Sequence, residues 1–211
     1  MSNKYKNALF IRVPKTASTS ISSVCKSVMR LQEAQDFLKK EQNIPLYYRT
    51  KKCLNVMDKT QEWFNPMQNN IFTFGFVRNP WDRAVSSWKF GSPDDNWNMN
   101  FVDFCRNLKK LEINPKCRIA KNGLLIHVCE QHPFLIGSNK NLKADYIGRL
   151  ENLQDDFNIV CDKIGIPRQQ LPHKNKTKHK HYTEYYDDET RSIVAEKYAK
   201  DIEYFGYKFG E

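Results

Sequence analysis

Two kinds of block alternate along this chain: short continuous apolar runs, and longer stretches with apolar residues at helical spacing. Ala8 to Val13 is a run of the first kind and predicts a short buried strand. Pro14 breaks it, Lys15 follows, and a row of hydroxyls (Thr16, Ser18, Thr19, Ser20) leads into Ile21, Val24, Val28 and Leu31 at helical spacing. That helix continues or restarts through Phe37 and Leu38. Asn43 to Asn70 is polar and irregular, with prolines at 45 and 66, and reads as a surface insertion or a substrate-facing flap. Ile71 to Val77 predicts a second strand. Beyond it Asn79 can cap a helix, Pro80 suits the first helical position, and Ser86 falls two turns in. After a polar loop from Gly91 to Asn100, the residues Phe101, Val102, Phe104, Cys105 and Leu108 predict an amphipathic helix. Residues 115–141 carry little pattern beyond two short apolar pieces, Leu124 to Cys129 and Pro133 to Ile136. Tyr146 to Leu150 predicts a further strand, and Glu151-Asn152-Leu153 opens a helix through Ile164, stopped by Gly165 and Pro167. An acidic start at Asp187, Asp188 and Glu189 precedes a last helical pattern of Ile193, Val194, Tyr198, Ile202 and Phe205. Strands alternating with helices predict an α/β fold with a mainly parallel sheet and ligands at the carboxyl ends of its strands.

Composition narrows the class. The 211 residues, with no internal repeat, are expected to form one domain with a real core, and 40% hydrophobic with 13% aromatic content is globular. A formal charge of +10 favours anionic partners: nucleotides, nucleic acid, acidic glycans or a membrane surface. The six cysteines, at 25, 53, 105, 117, 129 and 161, form no C-x-x-C pair and no zinc-type cluster, so neither a metal site nor a disulfide framework is expected. No signal peptide and no run of ~20 apolar residues is visible, which leads to the expectation of a soluble, cytoplasmic chain with no membrane span.

The chemistry concentrates in the first strand-to-helix turn. The first N–H groups of a helix have no intrahelical partner and carry the positive end of the macrodipole, which makes them an anion site. Lys15 adds a full charge, and the hydroxyls of Thr16, Ser18, Thr19 and Ser20 can donate to phosphate-type oxygens. The turn is not a Walker A loop: it contains no glycine, and its lysine stands at its start.

Arg12-Val13-Pro14-Lys15-Thr16-Ala17-Ser18-Thr19-Ser20 resembles the 5′-phosphosulfate loop of PAPS-dependent sulfotransferases. Phe76-Val77-Arg78-Asn79-Pro80-Trp81-Asp82-Arg83 with Ser86 resembles their 3′-phosphate motif. Ile147 to Leu153, and His181-Tyr182 with Asp201 to Phe209, are similar to later stretches of the carbohydrate sulfotransferases of the heparan sulfate 2-O- and chondroitin type. The resemblance implies a P-loop-like α/β fold with a central, mainly parallel sheet flanked by helices. It implies PAPS as cofactor, PAP as product, and a hydroxyl or amine acceptor, a glycan or a small hydroxylated metabolite. It implies that Arg12, Pro14, Lys15, Thr16, Ala17, Ser18, Thr19 and Ser20 hold the phosphosulfate, with Lys15 catalytic at the leaving oxygen, while Arg78 and Ser86 take the 3′-phosphate. Arg83 reads instead as a structural partner, and Trp81 and Trp88 as core. Arg149, with Glu151, is expected near the cofactor or as a fold-stabilising pair. Lys174 and Lys176, in the basic tract from His173 to His181, either close over the 3′-phosphate, attract an acidic acceptor or stay solvated.

One feature departs from the family. The 2-O-sulfotransferases place a histidine between the two cofactor motifs, and residues 21–77 here contain none. The candidate bases are Glu62 and Asp58, one turn apart, then His132 and His127. Three rival readings stand beside the transferase: an ATP-using phosphoryl-transfer enzyme, for which the glycine-rich cradle is missing; a basic nucleic-acid-binding protein, for which no aromatic-plus-basic motif appears; and a scaffold that binds PAP without catalysis.

Overall fold

The computed structural model describes residues 7–28, 71–91, 99–109, 127–136, 144–172 and 180–211. Asp58, Glu62, Lys174 and Lys176 lie outside them. In chain order the described residues form β1 (Asn7–Ile11), α1 (Ser18–Val28), β2 (Ile71–Val77), α2 (Pro80–Gly91), α3 (Phe101–Asn107), α4 (His132–Leu135), β3 (Tyr146–Arg149), α5 (Leu153–Ile164), α6 (Asp188–Lys197) and α7 (Ala199–Phe205). Two compact units emerge, one of residues 1–77 with 133–176 and one of residues 78–132 with 177–211.

The first unit holds a parallel sheet in the order β1-β2-β3. Phe10 pairs with Phe74 and Ile11 with Gly75, and on the other side Phe74 pairs with Tyr146 and Val77 with Arg149. The mixed α/β class and the parallel sheet are as the alternating pattern predicts. β2 is buried on both sides, as the central strand of a parallel sheet must be. Phe72, Phe74 and Phe76, at period two, share one face and pack with Phe10, with Ile21 of α1 and with Phe157, Val160 and Cys161 of α5. The rings of Phe10 and Phe74 stack with centroids 5.1 Å apart. On the opposite face Gly75 leaves room for Leu135: a Cβ there would collide with the Leu135 Cδ2. Thr73 is tied to Asp145, whose Oδ2 accepts from its backbone N–H at 2.7 Å and from its hydroxyl at 2.8 Å.

The edges of elements show what sequence periodicity leaves open. β1 stops at Ile11, short of the predicted Val13, because the chain already turns at Pro14 and Lys15. β3 gives way to a 3-10 turn over Leu150–Asn152 before α5, and α5 ends where Gly165 takes a left-handed φ of 73°.

In the second unit, Trp81, Ala84 and Val85 of α2 pack with Phe101, Phe104, Cys105 and Leu108, and with Val194 and Tyr198. Asn79 caps α2: its Oδ1 accepts from the Trp81 N–H at 3.1 Å. The last helical pattern is broken at Tyr198, whose buried hydroxyl donates to the Val128 carbonyl at 2.9 Å, so α6 and α7 are separate helices. Arg83 is fully buried; its Nη1 donates to the Cys129 carbonyl at 2.6 Å and its guanidinium lies 5.8 Å from the Tyr198 ring centroid. It serves the fold. No described helix is long and apolar enough to cross a membrane.

Candidate functional site

The turn between β1 and α1 is the most unusual backbone among the described residues. Lys15 has φ 68° and Ala17 φ 55°, and no other described non-glycine residue has positive φ. A side chain in the left-handed region costs roughly 1–2 kcal/mol, and such strain clusters at ligand sites. Two such residues within three positions let the chain double back from the strand into the helix without glycine. The Ile21 N–H makes a helical bond to the Ala17 carbonyl at 3.2 Å, which places the start of α1 directly after the turn. Thr16 is fully buried and its hydroxyl donates to the Val13 carbonyl at 2.9 Å, bracing the turn from within. Pro14 and Ser20 are buried as well; Arg12, Lys15, Ala17 and Ser18 are half-buried and Thr19 is exposed. The Nε of Arg12 is buried and has no hydrogen-bond partner. Leaving a buried donor of a charged group unmatched costs about 1–3 kcal/mol or more, which an anion bound at the turn would recover.

β3 ends in the same edge of the sheet, with Arg149 as its last residue. Asp156 holds that end: its Oδ2 accepts from the Arg149 backbone N–H and its Oδ1 from the Tyr146 hydroxyl at 3.0 Å. Burial, then the Asp156 carboxylate, pushes the Tyr146 phenol up to about 12. Arg12, Arg149 and the residues of the turn therefore share the carboxyl edge of one sheet.

Arg78 follows the last residue of β2. Its Nε donates to Asp82 Oδ2 at 2.7 Å, the two side chains being 13% and 21% exposed. Ser86 stands four residues beyond Asp82 on α2, on the same helix face, and is half-buried. Arg78 and Asp82 thus form an i, i+4 ion pair. That bond fixes the direction in which the guanidinium leaves the strand end.

His132 is half-buried, and its Nδ1 lies 3.0 Å from Oδ1 of Asp201, which is fully buried. The same carboxylate accepts the backbone N–H of His132 at 2.8 Å and of Gln131 at 2.7 Å. A carboxylate only accepts, so Nδ1 carries the proton and Nε2 is the basic nitrogen. The ring packs against Tyr204 with centroids 5.5 Å apart. His127 instead lies against Phe90, with centroids 4.6 Å apart. Gln131 was not among the residues that the sequence singled out, and Asp201 entered only as part of a stretch of family resemblance, with no role given to it. Asp201 had a signal: it stands with Tyr198 and Phe205 on the apolar stripe of the last helical pattern, where a carboxylate needs partners. Gln131 had none. Among the described residues no group of three His, Cys, Asp or Glu side chains is placed to hold a metal ion.

The model of a family described as the sulfotransferase family matches residues 1–208. An uncharacterized protein of Archaeoglobus fulgidus is 29% identical over 104 residues, 48% of this chain and 73% of its own length. No solved structure matches.

Proposed function

The chain belongs to the sulfotransferase family, and from that premise we propose that it transfers the sulfuryl group of PAPS to an acceptor hydroxyl or amine. The observation that carries this reading is the turn of residues 12–17, strained at Lys15 and Ala17 and holding a buried, unmatched Arg12 Nε. Those residues fit a phosphosulfate, and the architecture we propose is P-loop-like, in one catalytic domain. Bound PAPS supplies an activated sulfuryl group on a phosphate leaving group. Lys15 and the N–H groups at the start of α1 meet the charge that builds on the bridging oxygen as its bond to sulfur breaks, commonly one of the largest catalytic effects. Arg12, Pro14, Thr16, Ala17, Ser18, Thr19 and Ser20 shape that cradle. Arg78, aimed by Asp82, takes the 3′-phosphate with the Ser86 hydroxyl, and Arg149 adds charge at the sheet edge. Lys174 and Lys176 are assigned to closing over the cofactor or drawing in an acidic acceptor.

The acceptor must lose a proton as its oxygen attacks sulfur. Of the candidate bases Glu62, Asp58, His132 and His127 we assign the role to His132, because Asp201 holds its Nδ1–H and leaves Nε2 to take that proton. The new O–S bond forms, the S–O bond to the phosphate breaks, and the electron pair stays on PAP. We assign the acceptor to the carbohydrates, with a small hydroxylated metabolite as the second choice.

Calorimetric titration with PAP beside AMP and ATP tests the reading. PAP is expected to bind tightly and AMP at least tenfold more weakly, and Arg78→Ala should lose a few kcal/mol of PAP affinity, about the worth of a charge-assisted pair. Equal binding of the three nucleotides would overturn it.

A further inference from the structure

The ladder between β2 and β3 ends at the pair Val77–Arg149, so the peptide groups of the next residue, Arg78, need partners from elsewhere. One side chain supplies both. Gln131, fully buried, accepts the Arg78 N–H on Oε1 at 3.0 Å and donates from Nε2 to the Arg78 carbonyl at 2.9 Å. The Gln131 backbone N–H in turn ends on Asp201 Oδ2 at 2.7 Å, and Asp201 is itself buried. Arg78 is thereby held twice, its main chain by Gln131 and its guanidinium by Asp82 at 2.7 Å. A buried glutamine and a buried aspartate are an expensive way to fill space, because each polar atom left unmatched is destabilising. Here the glutamine gives both its side-chain polar groups to the backbone of one arginine, and the aspartate holds the glutamine's own N–H on one oxygen and His132 on the other.

We propose that Gln131 and Asp201 are positioning residues for Arg78: the clasp sets where the guanidinium can stand and so sets how strongly the protein prefers a nucleotide bearing a 3′-phosphate. This rests on the reading of Arg78 as the 3′-phosphate ligand. Neither residue touches the phosphate. Gln131 acts through the Arg78 main chain, and Asp201 acts through Gln131. A displaced backbone moves a guanidinium by a fraction of an ångström, enough to misalign paired N–H···O bonds to a phosphate oxygen.

The measurement is the ratio of PAP to AMP affinity in the full chain, for the wild type, Arg78→Ala, Gln131→Met, Asp201→Asn and the double variant Arg78→Ala/Gln131→Met. Gln131→Met keeps volume and removes both bonds to Arg78. It is expected to weaken PAP tenfold or more and AMP less than twofold. Asp201→Asn is expected to shift the ratio the same way by a smaller factor. In the Arg78→Ala background Gln131→Met should change PAP affinity less than twofold, since the group it positions is gone. A general loosening of the fold would instead lower both ligands together and add to the effect of Arg78→Ala. Folded Gln131→Met and Asp201→Asn proteins that keep the wild-type ratio, while Arg78→Ala loses it, would overturn the clasp and leave the 3′-phosphate reading standing. A wild-type protein without preference for PAP, or an Arg78→Ala variant that keeps it, would overturn both. If Gln131→Met does not fold, Gln131→Glu gives the same reading, because it keeps the acceptor for the Arg78 N–H and loses the donor to the Arg78 carbonyl.

Discussion

At the scale of single residues, the informative positions are those that break a local rule. Lys15 and Ala17 adopt backbone angles that favour glycine, in a turn whose sequence contains none. Strain of this kind persists only where the surroundings over-determine it, and Thr16 shows how: its buried hydroxyl ties the turn to the Val13 carbonyl. Ala17→Gly should therefore be neutral or stabilising by up to about 1 kcal/mol, and Ala17→Val destabilising by about 1–2 kcal/mol, in urea denaturation. A destabilised Ala17→Gly protein would show that the left-handed turn is not strained. Lys15→Ala separates charge from conformation. Alanine bears the same backbone strain as lysine, so the thermal midpoint should hardly move while sulfuryl transfer is lost and part of the PAP affinity remains. Turnover within tenfold of wild type in that variant would remove Lys15 from the leaving-group role.

At the scale of elements, β2 decides what the sheet can do. Its three phenylalanines bind one face to α1 and α5, and Gly75 on the other face lets Leu135 approach the strand. Gly75→Ala should cost about 1–3 kcal/mol by overpacking, and Leu135→Ala, itself destabilising, should cost less in the Gly75→Ala background than alone. Strict additivity of the two in denaturant titrations would refute the contact. The same strand shows why the sequence was readable where it was. Period-two phenylalanines followed by Asn79-Pro80 announce a strand, a cap and a helix start within ten residues, all of them local signals, and the structure has each. The strained turn hid its left-handed positions because alanine and lysine give no sign of them. Gln131 and Asp201 hid because their partners stand 53 and 69–70 residues away in the chain. Side-chain to backbone bonds of that span leave no periodicity. The family resemblance added what spacing did not: an expectation of which anion binds and of which end of it each motif takes.

At the scale of the whole molecule, the charge of +10 is the property that admits two kinds of partner. A nucleic-acid binder and a nucleotide-binding transferase both gain from a positive field, which speeds and strengthens the approach of any polyanion. Salt distinguishes them. The field is screened beyond about 10 Å at 0.1 M ionic strength, whereas N–H groups in contact with a phosphate are screened far less. If the charge serves PAP, raising KCl from 50 to 500 mM should weaken PAP more than AMP, in proportion to its extra phosphate charge, while the ratio of their affinities stays above tenfold at the highest salt because Arg78 supplies a contact and not only a field. Arg78→Ala should lower the salt slope for PAP toward that of AMP. An unstructured RNA oligomer, in contrast, should bind weakly at 150 mM and disappear by 500 mM, since a field without base-stacking or base-edge contacts leaves little once screened. Equilibrium titrations of the three ligands across that salt range decide the matter. An RNA affinity that exceeds that of PAP at 150 mM would assign the charge to nucleic acid, and the strained turn would then need an anion of a different kind.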